Sequence, residues 1–106
     1  MILEVAMLQV KPGLENDFEK DFEKDFVTAG QYISSIAGYQ GHSLKKCIEV
    51  ENKYILLVNW ETLAAHTIGF RQSEVYLKWK ELLHCYYEPF PTVEHYEPLF
   101  ENKSTL

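Results

Sequence analysis

The segment from Lys53 to Glu61 constrains the fold more than any other part of the chain. Its sequence, K-Y-I-L-L-V-N-W-E, is short and rich in aliphatic and aromatic residues, which is typical of a β-strand. A strand with one face in water should alternate apolar and polar residues. Here one face carries Tyr54, Leu56, Val58 and Trp60, and the other carries Ile55 and Leu57. No other segment is left to cover the second face, so we expect a homodimer in which sheet packs against sheet.

The spacing of apolar residues predicts elements in the order βαββαβ. Residues 2–10 read as a strand, and Lys11-Pro12-Gly13 ends it because proline cannot donate to a ladder. A helix that ends at Gly38 is predicted by apolar residues at spacings of three and four, namely Leu14, Phe18, Phe22, Phe26, Ala29, Ile33 and Ile36. Strands at 39–50 and 53–61, a broken helix pair and a strand near 92–98 follow. The expected fold is a ferredoxin-like α+β domain over residues 1–106, with a four-stranded antiparallel sheet and a polar tail from about residue 101.

Length, charge and cysteine content disfavour several classes of function. A chain of 106 residues is one domain, and its net charge of −6 argues against nucleic acid or an anionic membrane as the partner. Cys47 and Cys85 have no C-x-x-C spacing and are expected to be reduced thiols. Neither a signal peptide nor an apolar run near the roughly 20 residues needed to span a bilayer is visible. We therefore expect a cytoplasmic protein that binds neither nucleic acid nor membrane.

Residues 60–79, W-E-T-L-A-A-H-T-I-G-F-R-Q-S-E-V-Y-L-K-W, predict a pocket that contains a histidine. Thr62 is a good N-cap for a short helix, and Ser73 caps the helix that follows. At about 100° per residue, one face of the short helix points towards the sheet, and it consists of Leu63, His66, Thr67 and Phe70. The imidazole of His66 should therefore lie between two apolar neighbours on its own helix and beside the indole of Trp60.

None of the four histidines lies in a pattern that predicts a metal site. They form no H-x-x-x-H or H-E-x-x-H motif, and no cysteine has zinc-finger spacing. His42, His66 and His95 lie on separate elements that could still converge, but polar residues at sheet ends usually bond to local backbone groups. His84 should face solvent, because the apolar stripe of its helix is Val75, Trp79, Leu82 and Tyr86, with Tyr76 and Leu83 at the margin. We expect no metal and, without a G-x-G-x-x-G or Walker-type loop, no tightly held nucleotide cofactor.

Several segments resemble the antibiotic biosynthesis monooxygenase family, whose members have the dimeric α/β-barrel fold. The resemblance covers nearly the whole chain. Besides residues 60–79 it is carried by K-P-G at 11–13, G-Y-Q-G-H at 38–42, Y-I-L-L-V-N-W at 54–60 and P-F-P-T-V-E-H-Y at 89–96. It implies the same fold and a homodimer, and it implies oxygenation of a small aromatic molecule as one expected activity.

Cofactor-independent oxygenation uses the substrate as its own electron source, so it needs few groups from the protein. A phenol or quinol must lose a proton in a dry cavity with aromatic walls, next to O₂. His66 is the expected proton acceptor because imidazole titrates near neutrality, and Arg71 or Asn59 would stabilise the anion. The expected substrate-binding residues are Trp60, Phe70, Trp79, Tyr39, His42 and Tyr86. The same aromatics are also typical of a core, and a buried histidine is often structural, so both interpretations of His66 stay open.

Other branches of the family imply other functions. The haem-degrading branch uses an Asn, a Trp and a His where this chain has Ala6, Phe70 and Lys80, so haem oxygenation of that type is not expected. The quinone-forming branch uses an Asn, a Trp, a Tyr and an Arg, and this chain offers chemically suitable residues in Asn59, Trp60 and Arg71. The alternative to catalysis is a small-ligand-binding or stress-related barrel protein of the same fold.

Overall fold

Four antiparallel strands form one sheet, and the helices pack on one of its faces. The computed structural model describes residues 1–11 and 18–105. The strands β1 (Ile2–Gln9), β2 (Tyr39–Lys46), β3 (Lys53–Trp60) and β4 (Val93–Tyr96) lie in the spatial order β2-β3-β1-β4. The helices are α1 (Phe18–Ile33), a short π-helix (Ala65–Phe70) and α2 (Glu74–Leu83). This is the ferredoxin-like α+β fold predicted from the sequence.

The hydrophobic core lies between the sheet and the helices. From the sheet it receives the inward-facing residues Ala6, Leu8, Tyr54, Leu56, Val58 and Trp60. From α1 it receives Phe22, Phe26, Ala29 and Ile33, as predicted, whereas Ile36 of the predicted stripe lies beyond the end of α1 and is half-buried. Leu14 and the side chain of Phe18 lie outside the described residues. On α2 the prediction was partly wrong, because Leu83 is fully buried and Leu82 only half-buried.

The hairpin between β2 and β3 has a longer loop than the sequence suggested. β2 ends at Lys46 and not at residue 50, and the backbone N–H of Cys47 donates to the carbonyl of Lys53 at 2.8 Å to close the loop. Asn52 adopts a left-handed φ of 60° at the tip, a conformation that asparagine tolerates in turns. Ile48 is 94% exposed, so its apolar side chain does not mark a continuing strand.

The helix boundaries follow local capping groups. α1 ends at Ile33, earlier than the predicted end at Gly38, and residues 34–35 and 37–38 form turns before β2. Ser73 caps α2 as predicted, because its Oγ accepts the backbone N–H of Tyr76 at 3.2 Å. Within the described residues, no helix has both the length and the apolar character that crossing a membrane requires.

The outer face of the sheet, turned away from the helices, is apolar at its centre. We define it by Leu3, Val5, Met7, Ile55 and Leu57, which alternate with the core residues of β1 and β3. The register places Val5 opposite Leu57 and Met7 opposite Ile55, so the patch is continuous across the two central strands. Met7 is 41% exposed and the other four side chains are half-buried. The structure thus confirms that β3 is apolar on both faces.

Gly38 determines how closely the π-helix approaches the sheet. Its φ of +90° is a conformation that L-residues rarely adopt, and a Cβ at this position would lie 2.7 Å from the Cβ of Ala65. The Gly38 carbonyl also accepts the backbone N–H of Glu61 at 2.7 Å. The turn before β2 and the first residue of the π-helix therefore meet at a contact that has no room for a side chain.

We expect Gly38→Ala to lower the free energy of unfolding by more than about 1 kcal/mol, through strain and the clash with Ala65. Ala65→Gly alone should cost about 1 kcal/mol, the usual penalty for glycine in a helix. In the Gly38→Ala background the same change should cost less or restore stability, because it removes the clash. Urea unfolding of the four proteins measures this coupling, and additive effects would contradict the close contact.

Candidate functional site

A buried carboxylate, that of Glu4, lies at the centre of the candidate site. Glu4 occupies an inward position of β1, and it is only 5% exposed. The register places it opposite His95 of β4 and diagonal to Trp60 of β3. The indole Nε1–H of Trp60 donates to Glu4 Oε1 at 2.9 Å. Burial raises the pKa of Glu4, and the Trp60 hydrogen bond and the charge of Arg71 oppose this effect.

His66 lies over Trp60 and joins Glu4 to His95. Its ring is 2% exposed and stacks on the indole, with centroids 5.4 Å apart and planes inclined by 20°. His66 Nε2 lies 3.3 Å from Glu4 Oε1, and His66 Nδ1 lies 2.7 Å from His95 Nε2. Burial lowers the pKa of His66 to about 3, with smaller contributions from the charges of Arg71 and His95. The imidazole is therefore neutral near pH 7 and carries a single N–H.

The π-helix explains why His66 faces the sheet while Leu63 does not. The hydroxyl of Thr62 accepts the backbone N–H of Ala65 at 3.1 Å, which confirms the predicted N-cap. At the other end the N–H of Arg71 donates to the carbonyl of His66 at 3.0 Å, an i→i−5 bond that is wider than an α-turn. The helical wheel assumed about 100° per residue and does not hold for this wider turn. Leu63, predicted to flank His66, is consequently 47% exposed.

An aromatic cavity of about 360 Å³ opens beside Glu4 and His66. Phe70 forms one wall and stands edge-on to Trp79, with ring centroids 5.7 Å apart, and to Tyr76, at 5.1 Å. The lining also includes Arg71, Phe26, Val93, His84 and Tyr87. A space of this size and character accommodates a small flat molecule. Four of the predicted site residues therefore meet here: His66, Arg71, Phe70 and Trp79.

A second, more open groove of about 930 Å³ runs between α1 and β2. It contains Tyr39 and His42, whose hydroxyl and Nδ1 lie 2.5 Å apart. His42 approaches α1 closely, since a Cβ on Gly30 would lie 3.2 Å from two of its ring atoms. β2 is the edge strand on the far side of β3. Tyr39 and His42 therefore lie outside the cavity of His66, although the sequence predicted that they would share it.

Three predicted site residues line neither cavity. Trp60 is fully buried beneath His66, where it serves as a hydrogen-bond donor and a stacking surface. Asn59 precedes it on β3 and belongs to the opposite face of the sheet, because successive strand residues alternate. Tyr86 is buried against Phe22 and donates a hydrogen bond to Asp25 of α1, which is a structural contact.

Sequence reasoning missed Glu4, Tyr76 and Tyr87 as site residues, gave His95 no part in the pocket and placed His84 wrongly. Glu4 had a signal, because it is the charged residue at an inward position of the otherwise apolar run I-L-E-V-A-M-L. His95, considered above only as a metal ligand, contacts His66 through the pairing of β4 with β1. His84 was predicted to face solvent, but it is half-buried and stands edge-on to Tyr87 and Phe90. The segment after α2 folds back over it, which a helical wheel does not show.

Comparison with known proteins assigns the family. The model of the family described as antibiotic biosynthesis monooxygenase matches residues 1–82. The chain belongs to the antibiotic biosynthesis monooxygenase family. One relative, the uncharacterized protein YczJ of Bacillus subtilis (strain 168), is 54% identical over 97 residues, which cover 92% of this chain and 98% of YczJ.

Solved structures of family members have the same fold. A candidate antibiotic biosynthesis monooxygenase from Bordetella bronchiseptica is 32% identical with a TM-score of 0.85, over 93% of this chain and 97% of its own. SnoaB, a cofactor-independent oxygenase from Streptomyces nogalater, is 21% identical with a TM-score of 0.66, over 99% and 95%. The likeness to SnoaB extends to the fold alone, since one fold supports many functions.

The buried neutral state of His66 predicts a specific loss of stability in acid. Its folded pKa of about 3 lies below the unfolded value of 6.5, so the unfolded chain binds more protons between these values. The stabilisation is complete above pH 6.5 and is lost as the pH falls towards 3. We expect wild type to lose about 2 kcal/mol more than His66→Gln between pH 7 and pH 5.

Urea unfolding at both pH values measures this difference. The raised pKa of Glu4 acts in the opposite direction, because its contribution is present below pH 4.5 and is lost as the pH rises. Glu4 is present in both proteins, so the comparison isolates His66. An equal pH dependence of the two proteins would contradict a neutral, buried His66.

Proposed function

We propose that this chain is a cofactor-independent monooxygenase that oxidises a small phenol or quinol in the aromatic cavity. One observation carries the proposal: the cavity joins aromatic walls, an arginine and a buried acid–histidine chain in one place. A flat ring fits against Phe70 and Trp79, and the guanidinium of Arg71 stabilises the negative charge that develops on the phenolic oxygen. The family assignment supports this activity without identifying the substrate.

The proposed reaction takes all its electrons from the substrate. A phenol with an unsubstituted ring carbon reacts with O₂ to give a quinone and water. One oxygen atom becomes the new carbonyl, the other leaves as water, and the substrate supplies the four electrons that reduce O₂. The protein must bind the ring, remove the phenolic proton and keep the reactive anion away from bulk water.

His66 itself is a poor acceptor for the phenolic proton, contrary to the expectation from the sequence. A phenol has an ordinary pKa of about 10, whereas burial lowers that of His66 to about 3. Moving the proton from phenol to imidazole is therefore uphill by roughly 10 kcal/mol, at about 1.4 kcal/mol per pKa unit. His66 instead orients its neighbours, and the phenolic proton leaves to solvent when the substrate binds as its phenolate beside Arg71.

The outer face of the sheet supports the inference of a homodimer. A continuous apolar patch on a small protein is typical of a surface that another chain covers, and burial is favourable by about 25 cal/mol per Å². Leu57 lies in this patch, opposite Val5. A second copy of the sheet would cover the patch with an identical one, giving a symmetric contact.

The oxygenase proposal is tested by oxygen uptake with a panel of phenols and hydroquinones, without added flavin or metal. We expect quinone formation above the rate of autoxidation. Arg71→Gln should lower kcat by about 10²- to 10³-fold, as expected for losing a donor to a developing anion. Lys78→Gln, which removes a cation of α2 that does not line the cavity, is the matched control and should leave the rate unchanged.

Two other outcomes of that panel would contradict an oxygenase. Thermal stabilisation by aromatic ligands of about 1 to 3 kcal/mol near saturation, with no oxygen consumed, would identify a binding protein. A Soret shift on titration with hemin, again without quinone formation, would identify a haem-binding protein.

The dimer is tested by Leu57→Asp. A carboxylate at the centre of the outer face would be buried without a partner, at a cost of several kcal/mol, so the variant should be monomeric or insoluble. Leu77→Asp makes the same chemical change at a 63% exposed position of α2 and should remain dimeric. Sedimentation at micromolar concentration distinguishes them, and a stable Leu57→Asp dimer would contradict this interface.

A further inference from the structure

The hydrogen positions along Glu4, His66 and His95 follow from one donor-only group. The indole of Trp60 can only donate, so Glu4 Oε1 is an acceptor at 2.9 Å. His66 Nε2 lies 3.3 Å from the same oxygen, which favours the tautomer with its hydrogen on Nε2. Because His66 is neutral, its Nδ1 is then an acceptor, and His95 Nε2 must donate to it across 2.7 Å. The hydrogen-bonding ring N–H groups of His66 and His95 therefore both point inward, towards Glu4.

The two ends of the hydrogen-bonded series Glu4–His66–His95 lie in different environments. Glu4 is buried and lines the aromatic cavity, so its carboxylate is available to a bound ring. His95 belongs to the edge strand β4 and is half-buried, so of the three side chains it is the one that solvent reaches most easily. His66 lies between them and is itself 2% exposed. The three side chains thus connect the cavity to solvent through groups that bind and release protons.

We propose that Glu4 exchanges a proton with the bound substrate, and that His66 and His95 connect Glu4 to solvent as a proton relay. This inference rests on the proposed oxygenase activity. Glu4 is the catalytic residue in this scheme, whereas His66 and His95 are positioning residues that act through it. Neither the family assignment nor the sequence pattern links these three side chains, although the sequence pattern singled out His66 as a base.

One proton is taken up from Glu4 in the step. The substrate binds as its phenolate beside Arg71, its phenolic proton having gone to solvent. Glu4 starts the turnover protonated on Oε2 and gives this proton to the oxygen atom that leaves as water, while the ring C–H supplies the second hydrogen of that water. Glu4 is then a carboxylate, so His95 takes one proton from solvent on its outer nitrogen, and the inward-pointing N–H groups pass one proton each along the relay to reload Glu4.

The electrostatics around Glu4 agree with this role. Burial raises the pKa of Glu4, which increases its proton affinity, while burial lowers the pKa of both His66 and His95. Each imidazole therefore stays neutral and does not hold a second proton. Among the described residues, the other charged or titratable groups that face this cavity are Arg71 at the end of the π-helix and Tyr76, His84 and Tyr87 on and after α2.

The activity test separates a relay from a structural contact. Glu4→Gln keeps an oxygen that accepts from Trp60 but has no acidic proton to give, so kcat should fall by about 10²- to 10⁴-fold, as for loss of a general acid–base group. His95→Ala should lower kcat with little change in KM, and free imidazole should restore the rate because the position opens to solvent. Glu97→Gln, an exposed carboxylate just after β4, should leave the rate unchanged. Full activity of His95→Ala, or a loss that imidazole does not restore, would overturn the relay.

A second measurement on the wild-type protein needs no activity. Long-range ¹H–¹⁵N spectra at pH 7 report which ring nitrogen of each histidine carries hydrogen. We expect Nε2–H on both His66 and His95, and a hydrogen on His66 Nδ1 would overturn the proposed direction. If no substrate is oxidised but both tautomers are as expected, the oxygenase proposal fails while the hydrogen-bond chain stands. If oxidation proceeds with the wrong tautomers, the relay fails while the oxygenase stands.

Discussion

The buried carboxylate of Glu4 is the constraint on which the site depends. Removing an ionised group from water costs several kcal/mol unless nearby donors and charges compensate. Here the compensation comes from the N–H of Trp60, the polar contact with His66 and the charge of Arg71. Trp60 ends β3, His66 belongs to the π-helix, and Arg71 directly follows it. Satisfying one carboxylate therefore fixes how the segment after β3 folds over the sheet. His66 is in turn held by His95, which ties the edge strand β4 to the same network.

The secondary structure and the two-faced β3 could be predicted because they depend on local periodicity. An apolar residue every second position gives a strand, and a spacing of three or four gives a helix such as α1. For Trp60 this rule was applied correctly, and for Asn59 it was not. The alternation that put Trp60 in the core also puts its neighbour on the opposite face, so assigning both to one pocket conflicted with the strand period.

The arrangement of the site depended on information that the pattern does not contain. That His95 lies opposite Glu4 follows from the register between β4 and β1, which pairs two residues 91 positions apart in the sequence. That His42 occupies a separate groove follows from the strand order, which puts β2 at the edge. The exposure of Leu63 follows from an i→i−5 turn at a site where the sequence suggested an α-helix. Glu4 alone could have been found earlier, as a charge in phase with core residues.

The proposed assembly and the proposed chemistry use opposite faces of the sheet. Substitutions on the outer face, at residues such as Leu57, should act on the proposed contact with a second copy and do not touch the cavity. Substitutions at the inner positions Glu4 and His95 change the groups in or beside the cavity while the apolar patch stays intact. Because β1 supplies Glu4 inward and Val5 outward, neighbouring positions of one strand would serve the two proposed roles separately. A fold of this kind could therefore change its reaction through a few inner residues without altering the outer face of the sheet, since function depends on the site that a fold carries.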